Sequence, residues 1–288
     1  MNLSEKEDTL KENTFTKGDL IEYLGLKNFN NAYPLIIAGP CVIESLALVD
    51  QCASFLKNLS KEMCFNLIFK ASYDKANRTS INSFRGPGVD KGIEILAEIK
   101  NKYNLPILTD VHRISEIKKL KDTVDIIQIP AFLSRQTDLI VESAKTDRII
   151  NIKKGQFLAP WDMANVIQKI RGTGNNKILI TERGVSFGYN NLIVDFRSII
   201  IIKEFGVPVV YDATHSVQLP GGAGSCSGGD RKYVIPLAKA ATALGSDVLF
   251  FEVHPNPPEA KSDSANSLYL SSLKDGLKSI FAIASSGM

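Results

Sequence analysis

Four polar side chains lie within, or at the end of, runs of the sequence that are otherwise apolar: Lys70, Gln128, Lys153 and Glu252. A buried Lys or Glu is costly unless it is paired or used by the protein. Polar residues are common where any chain leaves its secondary structure, so the embedded positions carry more weight than the flanking ones. These four positions predict a polar site to which several segments of the chain contribute.

Basic residues cluster on or just after four of these runs, and the cluster indicates an anionic ligand. Its members are Lys70, Lys75, Arg78, Arg135, Lys153 and Arg183. The Arg fork fits phosphate and carboxylate oxygens, and Lys contributes a point charge. Any one of these residues alone is equally typical of a solvated surface. The cluster as a whole predicts a small substrate with more than one anionic group.

A thiol, an imidazole and two carboxylates form a candidate metal site. These residues are Cys41, His215, Glu252 and Asp263. Such donors suit a borderline divalent ion such as Zn²⁺, Fe²⁺ or Mn²⁺ better than Mg²⁺ or Ca²⁺. No local spacing motif supports the site, and a free buried Cys is the commoner use of that residue. The pattern alone leaves both interpretations of Cys41 open.

Eight short apolar runs, separated by segments with helical periodicity, are the elements that would position these residues. Runs of this kind are typical of parallel strands that are buried on both faces. We predict strands over residues 35–41, 67–72, 106–111, 126–130, 149–153, 178–183, 208–214 and 248–254. Helical periodicity and capping signals predict helices over residues 44–59, 89–103, 161–171, 198–202 and 230–244.

Eight strand–helix units predict an α/β fold, a single (β/α)₈ TIM barrel of about 250 residues. We assign residues 32–288 to the barrel and residues 1–31 to an N-terminal extension. No GxGxxG motif follows the first strand, which argues against an open dinucleotide-binding sheet. Since barrels carry their catalytic groups at the carboxyl ends of the strands, the polar residues above are expected on one face. The glycine-rich residues 219–229 lack a P-loop pattern and are expected to form a mobile loop over that face.

Composition excludes several other classes of protein. The net charge of +3, from 34 Lys and Arg against 31 Asp and Glu, does not indicate a nucleic-acid partner. The polar first 31 residues lack the apolar stretch of a signal peptide. No apolar run approaches the ~20 residues of a membrane span. The 4 Cys contain no CxxC pair and indicate reduced thiols, so we expect a cytoplasmic protein without a membrane partner.

Several longer motifs, which lie between about residue 33 and residue 275, resemble those of a known family. They occupy residues 38–45, 69–78, 84–88, 129–138, 151–157, 181–184, 211–222 and 252–255. Together they resemble the 3-deoxy-D-manno-octulosonate 8-phosphate synthase family. The resemblance implies a (β/α)₈ barrel that condenses phosphoenolpyruvate with D-arabinose 5-phosphate and water. The products would be phosphate and 3-deoxy-D-manno-octulosonate 8-phosphate, the precursor of a lipopolysaccharide sugar.

The first-strand motif of that family separates a metal-dependent branch, which has Cys, from a metal-independent branch, which has Asn. This chain has Cys41 at that position. The resemblance therefore implies a divalent transition metal (Mn, Fe, Zn or Co) and no organic cofactor. It carries over the ligands Cys41, His215, Glu252 and Asp263. It also implies a homotetramer in which Arg135 reaches the aldose phosphate bound by a neighbouring subunit.

The resemblance also assigns the substrate contacts. Four cations would hold phosphoenolpyruvate, with Gln128 in support: Lys70, Lys75, Lys153 and Arg183. The sugar phosphate would be held by Asn77, Arg78 and Thr79, and a sugar hydroxyl by Asp110. Members usually have Ser where this chain has Thr79, and the hydroxyl is kept. The predicted catalytic residues are Lys70, Lys75, Asp110, Lys153, Arg183 and His215.

Three other functions stay open on the sequence. A 3-deoxy-arabino-heptulosonate 7-phosphate synthase would use erythrose 4-phosphate, although residues 75–78 favour the eight-carbon enzyme. A Schiff-base aldolase would use Lys153 as its nucleophile. A non-catalytic barrel would only bind a sugar phosphate, and such a protein would not need the four metal ligands.

Overall fold

A closed barrel of eight parallel strands forms the centre of the chain in a computed structural model, which describes residues 14–27, 29–222 and 228–286. The strands are β1 (Leu35–Gly39), β2 (Leu67–Lys70), β3 (Ile107–Asp110), β4 (Ile126–Ile129), β5 (Ile149–Lys153), β6 (Ile178–Glu182), β7 (Val209–Asp212) and β8 (Val248–His254). Neighbours in the chain are neighbours in the sheet. The ring closes where β8 pairs with β1, from Leu35 opposite Val248 to Gly39 opposite Glu252. The predicted (β/α)₈ barrel is confirmed.

Eight helices follow the strands. They are α1 (Leu46–Met63), α2 (Val89–Tyr103), α3 (Ile114–Leu120), α4 (Thr137–Ala144), α5 (Met163–Arg171), α6 (Arg197–Lys203), α7 (Val234–Ala243) and α8 (Leu273–Ser286). The predicted bounds of α2 are correct, whereas α5 and α7 begin later than predicted because each is preceded by a short 3₁₀ turn. Within the described ranges, no helix has the length and apolar character that crossing a membrane requires.

The strands bury side chains on both faces, as their apolar composition predicts. One set, which includes Leu108, Ile126, Ile149 and Leu179, forms an apolar cluster inside the barrel. The alternate set forms a second cluster with the helices. Because side chains alternate along a strand, each strand can also point a polar residue inward at its carboxyl end.

The described part of the N-terminal extension packs on this barrel. A helix over Lys17–Tyr23 begins at a capping box formed by Thr16 and Asp19. It buries Leu20 completely, in the same apolar cluster as the inner residues of the strands. Phe15 joins this cluster, and its N–H donates to the carbonyl of Gly206 at 3.0 Å. The extension thus adds to the barrel core, while the division of the chain at residue 31 stays a prediction.

Two glycine-containing segments shape the carboxyl face. A Cβ atom at Gly39 would lie 1.8 Å from the carbonyl oxygen of Lys70, so only glycine lets β1 approach β2 this closely. That approach places Lys70 beside the end of β1. In the glycine-rich segment, Gln218–Leu219 pairs antiparallel with Gly228–Gly229. Residues 223–227, on which the predicted mobile loop depends, lie outside the described residues.

Candidate active site

A cleft of about 430 Å³ opens at the carboxyl ends of the strands, a volume typical of small-molecule sites. Loops after several strands form its walls. The predicted site residues that line it are Lys70, Lys75, Asn77, Arg78, Thr79, Asp110, Gln128, Lys153, Arg183, His215 and Asp263. Cys41 and Glu252 are buried next to these residues. The structure thus brings together all of the predicted site residues except Arg135.

The four predicted metal ligands converge. The Sγ of Cys41 and one oxygen each of Glu252 and Asp263 lie within 4.8 Å of one another. The Nε2 of His215 lies 3.6 Å from an oxygen of each of these two carboxylates. Among the described residues, the buried Oε2 of Glu252 has no hydrogen-bond partner. Because an unsatisfied buried carboxylate oxygen is costly, the arrangement fits a cation held at this point.

Asp263 is held in an unusual backbone conformation. Its φ of 47° lies in the left-handed region, which costs a residue with a Cβ about 1 kcal/mol or more. Its side chain is fixed on two sides, by Cys41 Sγ at 3.0 Å from Oδ2 and by Gln218 Nε2, which donates to Oδ1 at 3.0 Å. Such strain is typical of residues whose position a ligand requires.

The electrostatics of these ligands depend on burial and on nearby lysines. Burial, reinforced by Asp263 and Glu252, raises the pKa of the Cys41 thiol well above its ordinary value. Burial alone would also raise the pKa of Glu252, but Lys70, His215 and Lys75 outweigh it and lower this pKa to about 2. The pKa of Asp263 is lowered in the same way, mainly by His215. A metal ion bound here would therefore displace the thiol proton.

Lys70 and Lys75 share one carboxylate oxygen. The Nζ of Lys70 lies 2.6 Å from Oε1 of Glu252, and both side chains are 1% exposed. It also donates to the carbonyl of Cys41 at 2.8 Å. The Nζ of Lys75 lies 3.8 Å from the same Oε1. Burial would lower the pKa of Lys75, but its electrostatic interactions with Cys41 and Glu252 outweigh burial and raise this pKa. Two cations are thus held against one carboxylate, beside an open cleft.

Asp212 orients His215 toward the other predicted metal ligands. Its Oδ2 lies 2.8 Å from Nδ1 of His215 and accepts from Lys153 Nζ at 2.7 Å. A carboxylate accepts only, so Nδ1 carries a proton and Nε2 is the atom that faces Glu252 and Asp263. Burial lowers the pKa of His215, but Asp212 outweighs it and the pKa is raised. A carboxylate behind the second ring nitrogen is typical of metal-binding histidines.

Arg183 reaches the cleft from the end of β6. It is 4% exposed, and one guanidinium nitrogen donates to Gln218 Oε1 at 2.6 Å and to the carbonyl of His215 at 3.2 Å. Within the described ranges its Nε has no partner. Burial lowers the pKa of Arg183. Asp212 and other nearby carboxylates raise this pKa but do not outweigh the effect of burial. An unsatisfied guanidinium N–H at a cleft wall suits an anionic ligand.

Asp110 and Gln128 also line the cleft. Ser72 Oγ and Gln128 Nε2 each donate to one oxygen of the Asp110 carboxylate. Burial would raise the pKa of Asp110, but Lys75 and Lys70 outweigh it and lower the pKa below its usual range. Asp110 is therefore an anionic hydrogen-bond acceptor facing the cleft.

The residues predicted to hold the sugar phosphate lie at the mouth of the cleft. Arg78 donates from Nε to the carbonyl of Phe84 at 3.0 Å and from the guanidinium end to the carbonyl of Lys261 at 2.7 Å. It thereby joins the loop after β2 to the loop after β8. Arg135 is exposed and does not line the cleft of its own chain.

Three residues of the site were not among the predicted ones. Asp212 ends β7 and orients His215, so the strand-end rule that found Lys153 also applies to it. Gln218 joins Arg183 to Asp263, and Ser262 Oγ lies 3.0 Å from Cys41 Sγ. Neither Gln218 nor Ser262 directly follows a strand of the barrel. Gln218 lies within the motif over residues 211–222, and Ser262 is marked only by its closeness to Asp263.

Comparison with known proteins gives the family. The model of the DAHP synthetase I family matches residues 21–281, a range that contains every residue of the site. The chain belongs to the DAHP synthetase I family. Members of this family that are similar to the chain are named 2-dehydro-3-deoxyphosphooctonate aldolase, another name of the 3-deoxy-D-manno-octulosonate 8-phosphate synthases.

The similarity to these aldolases covers most of both chains. The relative from Francisella tularensis subsp. holarctica (strain LVS) is 56% identical over 242 residues, which are 84% of this chain and 88% of the relative. The one from Syntrophotalea carbinolica is 52% identical over 256 residues, 88% and 92% of the two chains. The one from Desulfatibacillum aliphaticivorans is 51% identical over 271 residues, 94% and 97%. The resemblance inferred from the motifs is confirmed, and the heptulosonate alternative is not favoured.

Proposed function

We propose that the chain condenses phosphoenolpyruvate with D-arabinose 5-phosphate and water, giving 3-deoxy-D-manno-octulosonate 8-phosphate and inorganic phosphate. The observation that carries the proposal is the convergence of four cations and a thiol–imidazole–carboxylate set in one cleft. The relatives named as octonate aldolases support it. The reaction would supply a lipopolysaccharide sugar in the cytoplasm.

Phosphoenolpyruvate carries a carboxylate and a phosphate, and four cations are placed to bind them. These are Lys70, Lys75, Lys153 and Arg183, with Gln128 beside them. Two of the four are already paired with carboxylates at 2.6 and 2.7 Å, so they are ordered before substrate arrives. Fixed cations of this kind neutralise an anion without reorganisation, and hold its carbon three toward the second substrate.

The sugar phosphate would enter at the mouth of the cleft. Asn77, Arg78 and Thr79 would bind its phosphate, and Asp110 would accept from a sugar hydroxyl. Arg135 would complete the phosphate site from a neighbouring subunit of a homotetramer. Its exposed position outside its own cleft supports this arrangement.

Cys41, His215, Glu252 and Asp263 would hold a divalent transition metal, Mn, Fe, Zn or Co. The unsatisfied Oε2 of Glu252 and the carboxylate behind His215 support the site. When bound, the metal would supply Lewis acidity toward the aldehyde or position the attacking water.

The chain's own residues then account for the rest of the reaction. The four cations hold the enol so that its carbon three bonds to the aldehyde carbon while water adds to carbon two. Asp110 fixes the sugar in the orientation that this bond requires. The resulting tetrahedral intermediate loses phosphate by cleavage of its C–O bond, and Arg183 and the lysines stabilise the departing anion.

The Schiff-base alternative fits the geometry poorly. The Nζ of Lys153 is engaged by the Asp212 carboxylate at 2.7 Å and lies 4.1 Å from the centre of the Phe250 ring. A lysine nucleophile needs a free lone pair, which an ion pair of this kind withholds. Borohydride treatment in the presence of substrate is expected to trap no adduct.

Phosphate release from phosphoenolpyruvate tests the proposal. Turnover is expected with arabinose 5-phosphate, and little or none with erythrose 4-phosphate or without an aldose. A chelator is expected to abolish turnover, and added Mn²⁺, Fe²⁺ or Zn²⁺ to restore it, with bound metal measured by elemental analysis. Preference for erythrose 4-phosphate would refute the substrate, and full activity in metal-free protein would refute the role of the metal.

A further inference from the structure

A line of four buried polar side chains runs along adjacent strands of the barrel and ends at Asp110, in the wall of the cleft. Thr181 Oγ1 donates to Asn151 Oδ1 at 2.7 Å, and Asn151 Nδ2 donates to Gln128 Oε1 at 2.9 Å. Gln128 Nε2 in turn donates to Asp110 Oδ1. These residues, here called the polar line, come from the four consecutive strands β6, β5, β4 and β3.

The direction of every hydrogen bond in the polar line follows from the charge of Asp110. An ionised carboxylate accepts only, so Gln128 must turn its amide NH₂ toward Asp110. Its oxygen then faces Asn151, which must present its own NH₂. The oxygen left on Asn151 requires a donor, and the Thr181 hydroxyl supplies it. Both amide orientations are thereby determined by chemistry, from one end of the line to the other.

The two distal members of the polar line do not reach the cleft. Thr181 and Asn151 are 0% exposed, whereas Gln128 and Asp110 line the cleft. Apolar residues from these same strands form the cluster inside the barrel, and a Val would have the shape of Thr181 without its hydroxyl. Burying an amide and a hydroxyl in such a core is costly unless their hydrogen bonds are used.

We propose that Thr181 and Asn151 are positioning residues, which fix Gln128 and, through it, the carboxylate of Asp110. The inference rests on the proposed function, in which Asp110 accepts from a sugar hydroxyl. Without the Thr181 hydroxyl, Asn151 Oδ1 has no donor and its amide loses its fixed orientation. Gln128 then loses a defined donor to its oxygen, and Asp110 loses the neighbour that holds its carboxylate toward the cleft.

A matched pair of variants at Thr181 separates orientation from packing. Thr181→Val keeps the shape and removes the hydroxyl, and Thr181→Ser keeps the hydroxyl and removes a methyl group. Thr181→Val is expected to raise the KM for arabinose 5-phosphate about fivefold, the effect of one net hydrogen bond. The KM for phosphoenolpyruvate should change less, because four cations hold that substrate and Gln128 only supports them. Thr181→Ser should keep both KM values, although its thermal midpoint falls.

A second variant covers the case in which Thr181→Val does not fold. Replacing Thr181 by Val and Asn151 by Leu together leaves no unsatisfied group between them, yet removes the donor to Gln128. It should raise the KM for arabinose 5-phosphate at least as much. If the unsubstituted chain turned over and the Val and Ser variants had equal KM values, the inference would be overturned while the proposed function stood. Lack of turnover by the unsubstituted chain would refute both.

Discussion

The buried pair of Lys70 and Glu252 makes a quantitative prediction about stability. Two unit charges 2.6 Å apart attract each other by about 6 kcal/mol at an effective dielectric constant near 20. Most of that attraction offsets the cost of taking both charges out of water. Removing one partner of such a pair typically costs 3–5 kcal/mol, because the other charge is left buried. Lys75, 3.8 Å from the same oxygen, partly replaces the lost cation. We therefore expect Lys70→Met to cost about 3 kcal/mol.

Thermal unfolding of the metal-free protein at neutral pH measures this cost. For a protein of 288 residues, ~3 kcal/mol corresponds to a decrease in Tm of roughly 5 °C. Glu252→Gln should also destabilise, because it leaves both lysines without their counterion. The double variant should lose less than the sum of the two, by about 2 kcal/mol. Lys91→Met serves as the control, since Lys91 and its partner Glu94 are both exposed and the loss of such a pair should leave the Tm nearly unchanged. Two results would refute a strong buried pair. One is a double variant of Lys70→Met and Glu252→Gln whose loss of stability equals the sum of the single losses. The other is an equal loss of stability for Lys70→Met and Lys91→Met.

Three further changes test other parts of the structure. Cys41→Asn should weaken the binding of Zn²⁺ or Mn²⁺ by about 100-fold or more, because it removes one of four ligands and with it about a quarter of the binding free energy. Metal content after dialysis measures this change. Unchanged content would remove Cys41 from the ligand set, and Cys52→Ala is the control. Leu20→Ala should cost about 3 kcal/mol in thermal unfolding and leave KM values unchanged, because Leu20 packs among core residues away from the cleft. Arg135→Ala and Lys153→Met should each be nearly inactive, yet mixed tetramers of the two should recover activity. No recovery would contradict a role for Arg135 in a neighbouring subunit.

The barrel itself was accessible from the sequence because its strands are buried on both faces. Every predicted strand is present, and the errors are at the ends. The predicted first strand extends to residue 41, whereas β1 ends at Gly39, because the chain leaves the sheet to place Cys41 beside Ser262 and Asp263. The periodicity of apolar residues predicts which face of a strand a residue occupies. It does not predict at which residue the hydrogen bonds between two strands end.

The site was predictable to the extent that strand ends determine it. Lys70, Lys153 and Glu252 interrupt apolar runs, and closing the ring brings them together whatever their separation in the chain. Gln218 and Ser262 could not be found in this way. Their positions depend on loop conformations, and a loop residue is defined by its contacts and not by any period in the sequence.

Glu252 links the two halves of the site. Its Oε1 faces Lys70 and Lys75, which are placed for an anionic substrate, and its Oε2 faces His215 and has no donor among the described residues. One carboxylate is therefore shared between the proposed metal site and two lysines. A cation bound by His215, Cys41 and Asp263 would lie beside Oε2 of Glu252. Its charge would offset part of the negative charge that Oε1 offers to the two lysines. The lysines are then less fully neutralised and attract phosphate and carboxylate more strongly. The overall charge of +3 is too small to show this, because the effect arises from the arrangement of a few buried groups.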